Sequence, residues 1–303
     1  MPTHKLAGRI ERLKAEKGAL ILAHNYQPPE IQDIADHLGD SLDLSRLAQE
    51  LPSKFIIFCG VHFMAETAAI LSPDKKIILP EPAAGCPMAD MITPEDLLSL
   101  KEQSPEAVVV MYVNSTAAVK SHTDICCTSA NALKVVESIP EDRKIIFGPD
   151  QHLGRWIISR TQREMLIWGG YCPQHQMILP KHIRKLKEAH PGALVMVHPE
   201  VESAVAAGAD AVLGTGGMLS YAGERDADTF IVGTEVGMCY RLEKAYPDKR
   251  FIPASPRATC KNMKKISLEK VLSSLENLEP VVSVPPDIAK RAKSAIEKMV
   301  EIG

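Results

Sequence analysis

The chain has 303 residues, enough for two or three compact domains with a buried core. Apolar residues make up 45% of it, charged residues make up 24%, and the formal net charge is −3. This composition excludes extensive disorder and gives no global positive field for nucleic acid or anionic membranes. Its apolar runs are too short to span a membrane, and its N-terminus lacks the apolar block of a signal peptide. We therefore expect a cytoplasmic protein whose partners are small molecules, with no nucleic acid and no membrane.

The first part of the chain alternates between helical and strand patterns. Apolar, β-branched runs such as ALILAH are typical of buried parallel strands, and Ser41 is a possible N-cap for the helix after the first strand. In order, the predicted elements are a helix at 5–17, a strand at 19–24, a helix at 41–51, and strands at 55–58 and 77–79. A loop that contains Cys86 follows.

A similar alternation of helices and strands then occurs twice more. The second copy comprises a helix from Pro94, a strand at 107–112, a helix at 129–139 with Ser129 as a possible N-cap, and strands at 145–147 and 165–167. The third copy comprises a helix from Pro180, strands at 193–198, 230–232 and 251–252, and a helix at 236–246. A last charged helix is predicted at 288–300.

The repeat defines the fold class. The first strands of the three copies begin 88 and 86 residues apart, which is too long a period for a solenoid. We predict an α/β fold of three repeated α/β/α sandwich domains, with parallel sheets around a pseudo-threefold axis and the active site in the central cavity. The predicted segments are 1–90, 91–176 and 177–264, followed by a helical closing segment at 265–303.

Polar side chains recur where ligands of parallel sheets bind, beyond the carboxyl ends of the strands. Counted from the start of each first strand, the sixth and eighth residues are polar, and a hydroxyl lies 22 residues on. Hydroxyls beside a helix N-terminus can bind a phosphate or a carboxylate. The nine residues are His24, Tyr26, Ser41, Tyr112, Asn114, Ser129, His198, Glu200 and Thr215. A further set follows the second strands, where we align His62, Asp150 and Glu235.

Three of the seven cysteines recur as well. Cys86, Cys172 and Cys260 lie at offsets of 67, 65 and 67 residues, each in a loop. Three thiolates that meet at one point could hold zinc with a fourth ligand, or a [4Fe–4S] cluster with one iron free. An iron with an open position is a Lewis acid, which favours dehydration chemistry.

The other four cysteines do not recur. We interpret Cys59 and Cys239 as buried small hydrophobes. The adjacent Cys126 and Cys127 could be a redox switch, although neighbouring cysteines rarely form an unstrained disulfide.

At this point the chain resembles the quinolinate synthase family, the iron–sulfur enzymes of de novo NAD synthesis. The matching segments run through nearly the whole chain. They are LAHNYQ at 22–27, IADHLGDS at 34–41, GCPMA at 85–89, YVNST at 112–116, TSAN at 128–131, FGPD at 147–150, CPQHQ at 172–176, VHPE at 197–200, GTGGM at 214–218 and NMK at 262–264. One position departs from the family pattern, since an aspartate is expected where this chain has His62.

The resemblance implies a specific reaction. Iminoaspartate and dihydroxyacetone phosphate would condense to quinolinate with loss of phosphate and water, at a [4Fe–4S] cluster held by Cys86, Cys172 and Cys260. It also implies that His24, Ser41, Ser129, His198 and Thr215 hold the substrate carboxylates and phosphate, and that Tyr26, Tyr112, Asn114 and Glu200 lie nearest the chemistry. A transient contact with an aspartate oxidase could supply the iminoaspartate.

Proton movement along a carbon chain needs a general base, and Glu200 is the best candidate, with Tyr26 and His198 as partners. Two alternatives from other classes stay open. One is a zinc or iron–sulfur protein with a structural or electron-transfer role, and the other is a hydratase that acts on a different acid.

Overall fold

The computed structural model describes residues 3–303, and it contains three four-stranded sheets of parallel strands. The strand order is the same in each sheet: β2-β1-β3-β4, β6-β5-β7-β8 and β10-β9-β11-β12. The strands are β1 Ala19–His24, β2 His37–Gly39, β3 Phe55–Cys59, β4 Lys76–Ile78, β5 Val108–Tyr112, β6 Ile125–Cys127, β7 Ile145–Gly148, β8 Met165–Ile167, β9 Leu194–Val197, β10 Ala211–Val212, β11 Thr229–Gly233 and β12 Arg250–Pro253. This confirms the predicted α/β fold with three repeated units.

Helices flank the sheets. They are α1 Thr3–Lys17, α2 Pro29–Ile34, α3 Ser41–Glu50, α4 His62–Leu71, α5 Pro94–Gln103, α6 Ala117–Lys120, α7 Ala132–Glu137, α8 Gln151–Thr161, α9 Pro180–Ala189, α10 Ser203–Ala206, α11 Thr215–Glu224, α12 Gly237–Ala245, α13 Leu268–Asn277 and α14 Pro286–Ile302. None of these helices is long and apolar enough to cross a bilayer. The sheets fall inside the segments 1–90, 91–176 and 177–264, whose boundaries stay predictions; residues 1 and 2 lie outside the described part.

One strand in each sheet was not predicted. These are the edge strands β2, β6 and β10, which have only two or three residues each. A repeated aspartate, Asp36, Asp124 or Asp210, precedes each of them. Its Oδ2 accepts the backbone N–H of Ile21, Val109 or Val195 in the neighbouring strand, at 2.7, 2.8 and 2.8 Å. A side chain therefore supplies part of the ladder that these short strands cannot supply themselves.

The N-caps of two helices differ from the prediction. Helix α3 is capped by Asp40, whose Oδ1 accepts the backbone N–H groups of Leu42 and Asp43, and Ser41 is the first helical residue. Helix α7 starts at Ala132 after Asn131, so Ser129 lies before the helix. Asp40 also carries a charge that interacts favourably with the dipole of α3. Both serines are thereby left free of capping.

In each unit a basic side chain closes the end of a helix, which means that it donates hydrogen bonds to backbone carbonyls at or near the C-terminal end. Lys75 donates to the carbonyl of Ala48 at 2.7 Å near the end of α3. Arg163 donates to Ile139 and Pro140, at 2.7 and 2.9 Å, after the end of α7. Lys249 donates to Ala222 and to Arg225, both at 2.7 Å, around the end of α11. A cation at a helix C-terminus satisfies carbonyls that have no helical partner.

The register of the sheets corrects one alignment made from the sequence. Cys59, Gly148 and Gly233 pair with the residues at the same position of their respective first strands. The residue two positions further on is therefore Val61 in the first unit and Asp150 or Glu235 in the others. His62 instead corresponds to the next position, where its side chain is 46% exposed.

The last two helices pack outside the repeat. Helix α13 packs against α1, and α14 packs against β6, α6 and α4, so it covers parts of the first and second units. Two backbone carbonyls near its end are held from these units: Asn131 Nδ2 donates to Met299, and Arg46 Nη2 donates to Val300, both at 2.8 Å.

Candidate active site

One cavity brings together the nine recurring polar residues and the three recurring cysteines. It holds about 800 Å³ of space between atoms, including its opening to solvent. Its walls come from all three units, as expected of parallel sheets whose carboxyl ends face one point. The nine polar residues and the three cysteines all line it: His24, Tyr26, Ser41, Cys86, Tyr112, Asn114, Ser129, Cys172, His198, Glu200, Thr215 and Cys260.

The three cysteines have the same local environment. Each is a half-buried free thiol that begins a short loop into a 3₁₀ turn. Backbone N–H groups two and three residues further on donate to each sulfur. Burial raises the pKa of the Cys86 thiol to about 12, while these donors favour its thiolate. Amide donors aimed at sulfur are typical of thiolates that ligate metals.

The other four cysteines are buried and free, and none lines the cavity. Cys59 lies at the end of β3 and Cys239 in α12, as the sequence indicated. Cys126 and Cys127 lie in β6, where successive side chains point to opposite faces.

Glu200 contacts polar side chains of the second unit in the cavity. Its Oε1 accepts the Tyr112 hydroxyl at 2.5 Å, and its Oε2 lies 2.9 Å from His175 Nδ1. Burial opposes its ionisation, but the adjacent His175, together with the Tyr112 hydroxyl, outweighs this and holds the pKa of Glu200 below its ordinary value. Glu200 is therefore a carboxylate at neutral pH.

A chain of contacts extends from this carboxylate to Tyr26. His175 Nε2 lies 2.9 Å from the Thr234 hydroxyl, which lies 2.5 Å from the Tyr26 hydroxyl. Burial and the charge of Glu200 raise the pKa values of Tyr26 and Tyr112, so both phenols keep their protons. Tyr112, Glu200, His175, Thr234 and Tyr26 thus form one network across the cavity.

The two histidines at the strand ends are neutral. Burial lowers the pKa of His24 to about 3 and that of His198 to about 4. His198 Nε2 lies 3.1 Å from the Ser129 hydroxyl, and the Asn25 amide donates to the Thr215 hydroxyl at 2.9 Å. Helices α3 and α11 begin at Ser41 and Thr215, so their N-terminal ends face the cavity.

His175 and Thr234 were not predicted from the sequence. His175 lies three residues after Cys172, where the other units have Ala89 and Met263, and Thr234 corresponds to Gly60 and Pro149. A search for residue types that recur cannot find a residue that only one unit carries. The sequence did offer one signal for His175, since it lies in the CPQHQ segment close to the candidate ligand Cys172.

Fold and site together are those of an enzyme whose candidate active site lies between three α/β units. Its cavity combines neutral hydrogen-bond donors for anions, a buried carboxylate beside a phenol, and three thiols in a common setting.

Comparisons with known proteins name the family. The family model for quinolinate synthetase A protein matches residues 8–301. A quinolinate synthase of Dehalococcoides mccartyi (strain CBDB1) is 54% identical over 297 residues, which are 98% of each chain. Those of Geobacter metallireducens and Methanosarcina barkeri are each 49% identical over 302 residues, 100% of this chain and 99% of theirs. The chain belongs to the quinolinate synthase family, as the sequence motifs indicated, and it is an enzyme of NAD biosynthesis.

Proposed function

We propose that this chain condenses iminoaspartate with dihydroxyacetone phosphate to form quinolinate, with loss of phosphate and water. The observation that carries the proposal is the meeting of nine polar side chains and three thiols, from three units, in one cavity. Both substrates are small anions, and the cavity offers them neutral donors rather than an exposed charged surface. Family membership supports the product, since the relatives carry the name quinolinate synthase.

We propose a [4Fe–4S] cluster as the cofactor, with Cys86, Cys172 and Cys260 as its ligands. A tetrahedral zinc ion binds sulfur at ~2.3 Å, so three thiolates around it would lie within roughly 4 Å of one another. Among residues 3–303, these three sulfurs are not a set within 4.8 Å of one another, which favours a larger group than one ion. When bound, the cluster would supply an iron with an open position, a Lewis acid that helps a substrate hydroxyl leave.

Within the described residues, a different set of ligand atoms is compact enough for a single ion. Atoms of Cys172, His175 and Glu200 all lie within 4.8 Å of one another. A zinc protein is therefore the competing interpretation, and measurement of bound metal must accompany any assay.

Substrate binding is assigned to five donors: His24, Ser41, Ser129, His198 and Thr215. Because both histidines are neutral, they donate hydrogen bonds to carboxylate or phosphate oxygens without adding charge. The N-terminal ends of α3 and α11 add favourable dipoles for an anion.

Proton transfer is assigned to Glu200, with Tyr26, Tyr112 and His198 as partners and Asn114 nearby. Glu200 is ionised at neutral pH, so it can accept a proton, and Tyr112 can donate one at the same point. The contacts through His175 and Thr234 connect this pair with Tyr26. A largely closed cavity protects an imine substrate from hydrolysis.

The compartment and the upstream partner are part of the proposal. All seven cysteines are free thiols, as in a reducing compartment, and we assign the protein to the cytoplasm. The source of iminoaspartate would be an aspartate oxidase in transient contact.

The test is an anaerobic assay on protein purified without oxygen. Iminoaspartate generated in the mixture and dihydroxyacetone phosphate are added, and quinolinate and released phosphate are measured by chromatography. Iron, sulfide and zinc are determined in the same sample. Quinolinate formation with about four iron and four sulfide per chain supports the proposal. Bound zinc without turnover would favour the zinc protein, and turnover of another acid alone would favour a hydratase.

The ligand assignment has a separate test. We expect Cys86→Ser, Cys172→Ser and Cys260→Ser each to lose the cluster and its brown colour, because each unit supplies one ligand. The buried Cys59→Ser and Cys239→Ser are matched controls that should keep it. An unchanged iron content in any of the first three variants would refute that residue as a ligand.

A further inference from the structure

The three cysteine loops share most of their backbone hydrogen bonds. In each unit the carbonyl two residues before the cysteine accepts an N–H from the start of the helix after the second strand. The donor and acceptor pairs are His62 with Ala84 at 2.8 Å, Gln151 with Gly170 at 2.8 Å, and Val236 with Ala258 at 3.0 Å. The carbonyl of each cysteine accepts an N–H four residues on, at 3.3, 3.3 and 3.2 Å. The loops are therefore built alike.

One bond differs between the units. The backbone N–H of Cys172 donates to Asp150 Oδ2 at 3.0 Å, and that of Cys260 donates to Glu235 Oε1 at 2.9 Å. The corresponding residue in the first unit is Val61, which is buried and whose side chain has no acceptor. Within residues 3–303, the Cys86 N–H donates to no protein group.

The two carboxylates are themselves held in place. Asp150 Oδ1 accepts the N–H groups of His152 and Leu153, at 2.6 and 3.0 Å, at the start of α8. Glu235 Oε2 accepts the N–H of Gly237 at 2.7 Å, and Lys264 Nζ lies 3.1 Å away. Each carboxylate therefore ties a cysteine backbone to the beginning of a helix, while both oxygens are occupied.

We propose that Asp150 and Glu235 are positioning residues that fix Cys172 and Cys260 for the cluster, and that Cys86 is the least supported ligand, from which the cluster detaches first. This inference rests on the cluster assigned under the proposed function. Its physical basis is that groups which orient a ligand are needed for tight metal binding as well as the ligand itself. The three cysteine loops of this chain can be compared with one another, because they share their other backbone hydrogen bonds and differ in the one that the cysteine N–H donates.

The experiment compares iron release from four anaerobically loaded proteins. They are the wild type, Asp150→Asn, Glu235→Gln and the control Asp124→Asn, which removes a carboxylate from a strand N–H of the second unit and leaves the cysteine loops intact. An amide keeps the volume but presents its oxygen to only one side, so it turns an N–H donor toward another donor. A chelator is added, and the visible absorbance and released iron are followed with time.

We expect the two carboxylate variants to release iron roughly tenfold faster than wild type, at the lower end of the ~10–100-fold typical of groups that orient metal ligands. The Asp124→Asn control should release iron at the wild-type rate even if its melting temperature falls. Melting of the metal-free proteins separates a general loss of stability from a loosened ligand. If one carboxylate variant fails to fold, the other still tests the proposal.

Thiol labelling shows the order of ligand loss. Partly depleted samples are alkylated and digested, and labelled cysteines are quantified by mass spectrometry. In wild type, Cys86 should be labelled before the other two ligands, and in Asp150→Asn the labelling of Cys172 should rise to match it. Equal release from control and carboxylate variants, or unchanged labelling order, would overturn the positioning role. A wild type that takes up no iron would instead contradict the cluster itself.

Discussion

Glu200 joins the third unit to the second through Tyr112 and His175. Glu200→Gln keeps the shape and can still accept the Tyr112 hydroxyl, but an amide does not accept a proton at neutral pH. Loss of a general base typically costs ~10²–10⁴ in rate, and we expect a loss of that size in kcat for quinolinate formation. Iron content and binding of dihydroxyacetone phosphate should stay at wild-type levels.

A structural role for Glu200 would give a different result. Glu200→Gln would then lose melting temperature and iron, and a comparable rate would remain once the data were corrected for loaded protein. Near-normal turnover by a fully loaded variant would remove Glu200 from the proton-transfer step.

The buried histidines His24 and His198 make the free energy of unfolding depend on pH. Their pKa values in the folded protein, about 3 and about 4, lie below the ordinary value of 6.5. The unfolded chain therefore binds more protons below pH 6.5, so the free energy of unfolding falls as the pH falls through this window, by up to ~1.4 kcal/mol per pH unit for each histidine. Denaturant titrations of the purified protein between pH 7 and pH 4 measure this slope.

His24→Asn should reduce that slope, because one of the two groups that bind protons on unfolding is gone. The control is His62→Asn, since the His62 side chain is 46% exposed and hydrated in both states. A slope in His24→Asn equal to that of wild type would contradict a neutral, buried His24.

Single residues were predictable where the repeat made them visible three times. Strand ends, hydroxyls and cysteines all appear at matching offsets, and the cavity contains every one of them. His175 and Thr234 occur in only one unit each, so the repeat hid them. The sequence alignment put His62 in the position that Val61 holds, because it took the glycines after the second strands as equivalent. The hydrogen-bond register of the sheets shows that these glycines are not all equivalent.

At the scale of secondary structure, nine of the twelve strands were predictable, and the edge strands β2, β6 and β10 were not. A strand of two or three residues gives little room for an apolar or alternating pattern, and β4 and β8, also of three residues, were found because they lie in apolar runs between recurring elements. What stabilises β2, β6 and β10 is a long-range bond from Asp36, Asp124 or Asp210, and such a bond leaves no local pattern.

Arg163 tests the repeated closure of a helix by a basic side chain. Its guanidinium donates to Ile139 and Pro140, and also to Arg143 at 3.1 Å. Arg163→Ala leaves these carbonyls without that partner, and we expect a loss of about 1–2 kcal/mol in the free energy of unfolding, since part of the site is solvated. Denaturant unfolding measures it, with the exposed Arg155→Ala as the control. Equal stabilities of the two variants would show that the closure contributes nothing.

At the scale of the whole molecule, α14 connects the first two units. Ile296 is fully buried where this helix packs. Ile296→Ala should cost about 2–5 kcal/mol, as expected for truncation of a buried aliphatic side chain. Thermal and denaturant unfolding give the value.

The matched control for Ile296 is Glu297→Ala. Glu297 pairs with Lys293 at 3.6 Å on the exposed face, and such pairs contribute less than about 1 kcal/mol. If Ile296→Ala cost no more than the control, α14 would be an appendage and not a connection between units.

The position of α14 has a consequence for synthesis of the protein. Its residues, Pro286–Ile302, are made after all three units, yet they cover β6 of the second unit and α4 of the first. Domains usually fold in order from the N-terminus as they emerge. The first two units therefore keep an apolar surface uncovered until α14 has been made. Cys260 is also made after both of these units. Translation must therefore pass Cys260 before the nascent chain carries all three proposed ligands, and until α14 is made chaperones have an apolar face to bind.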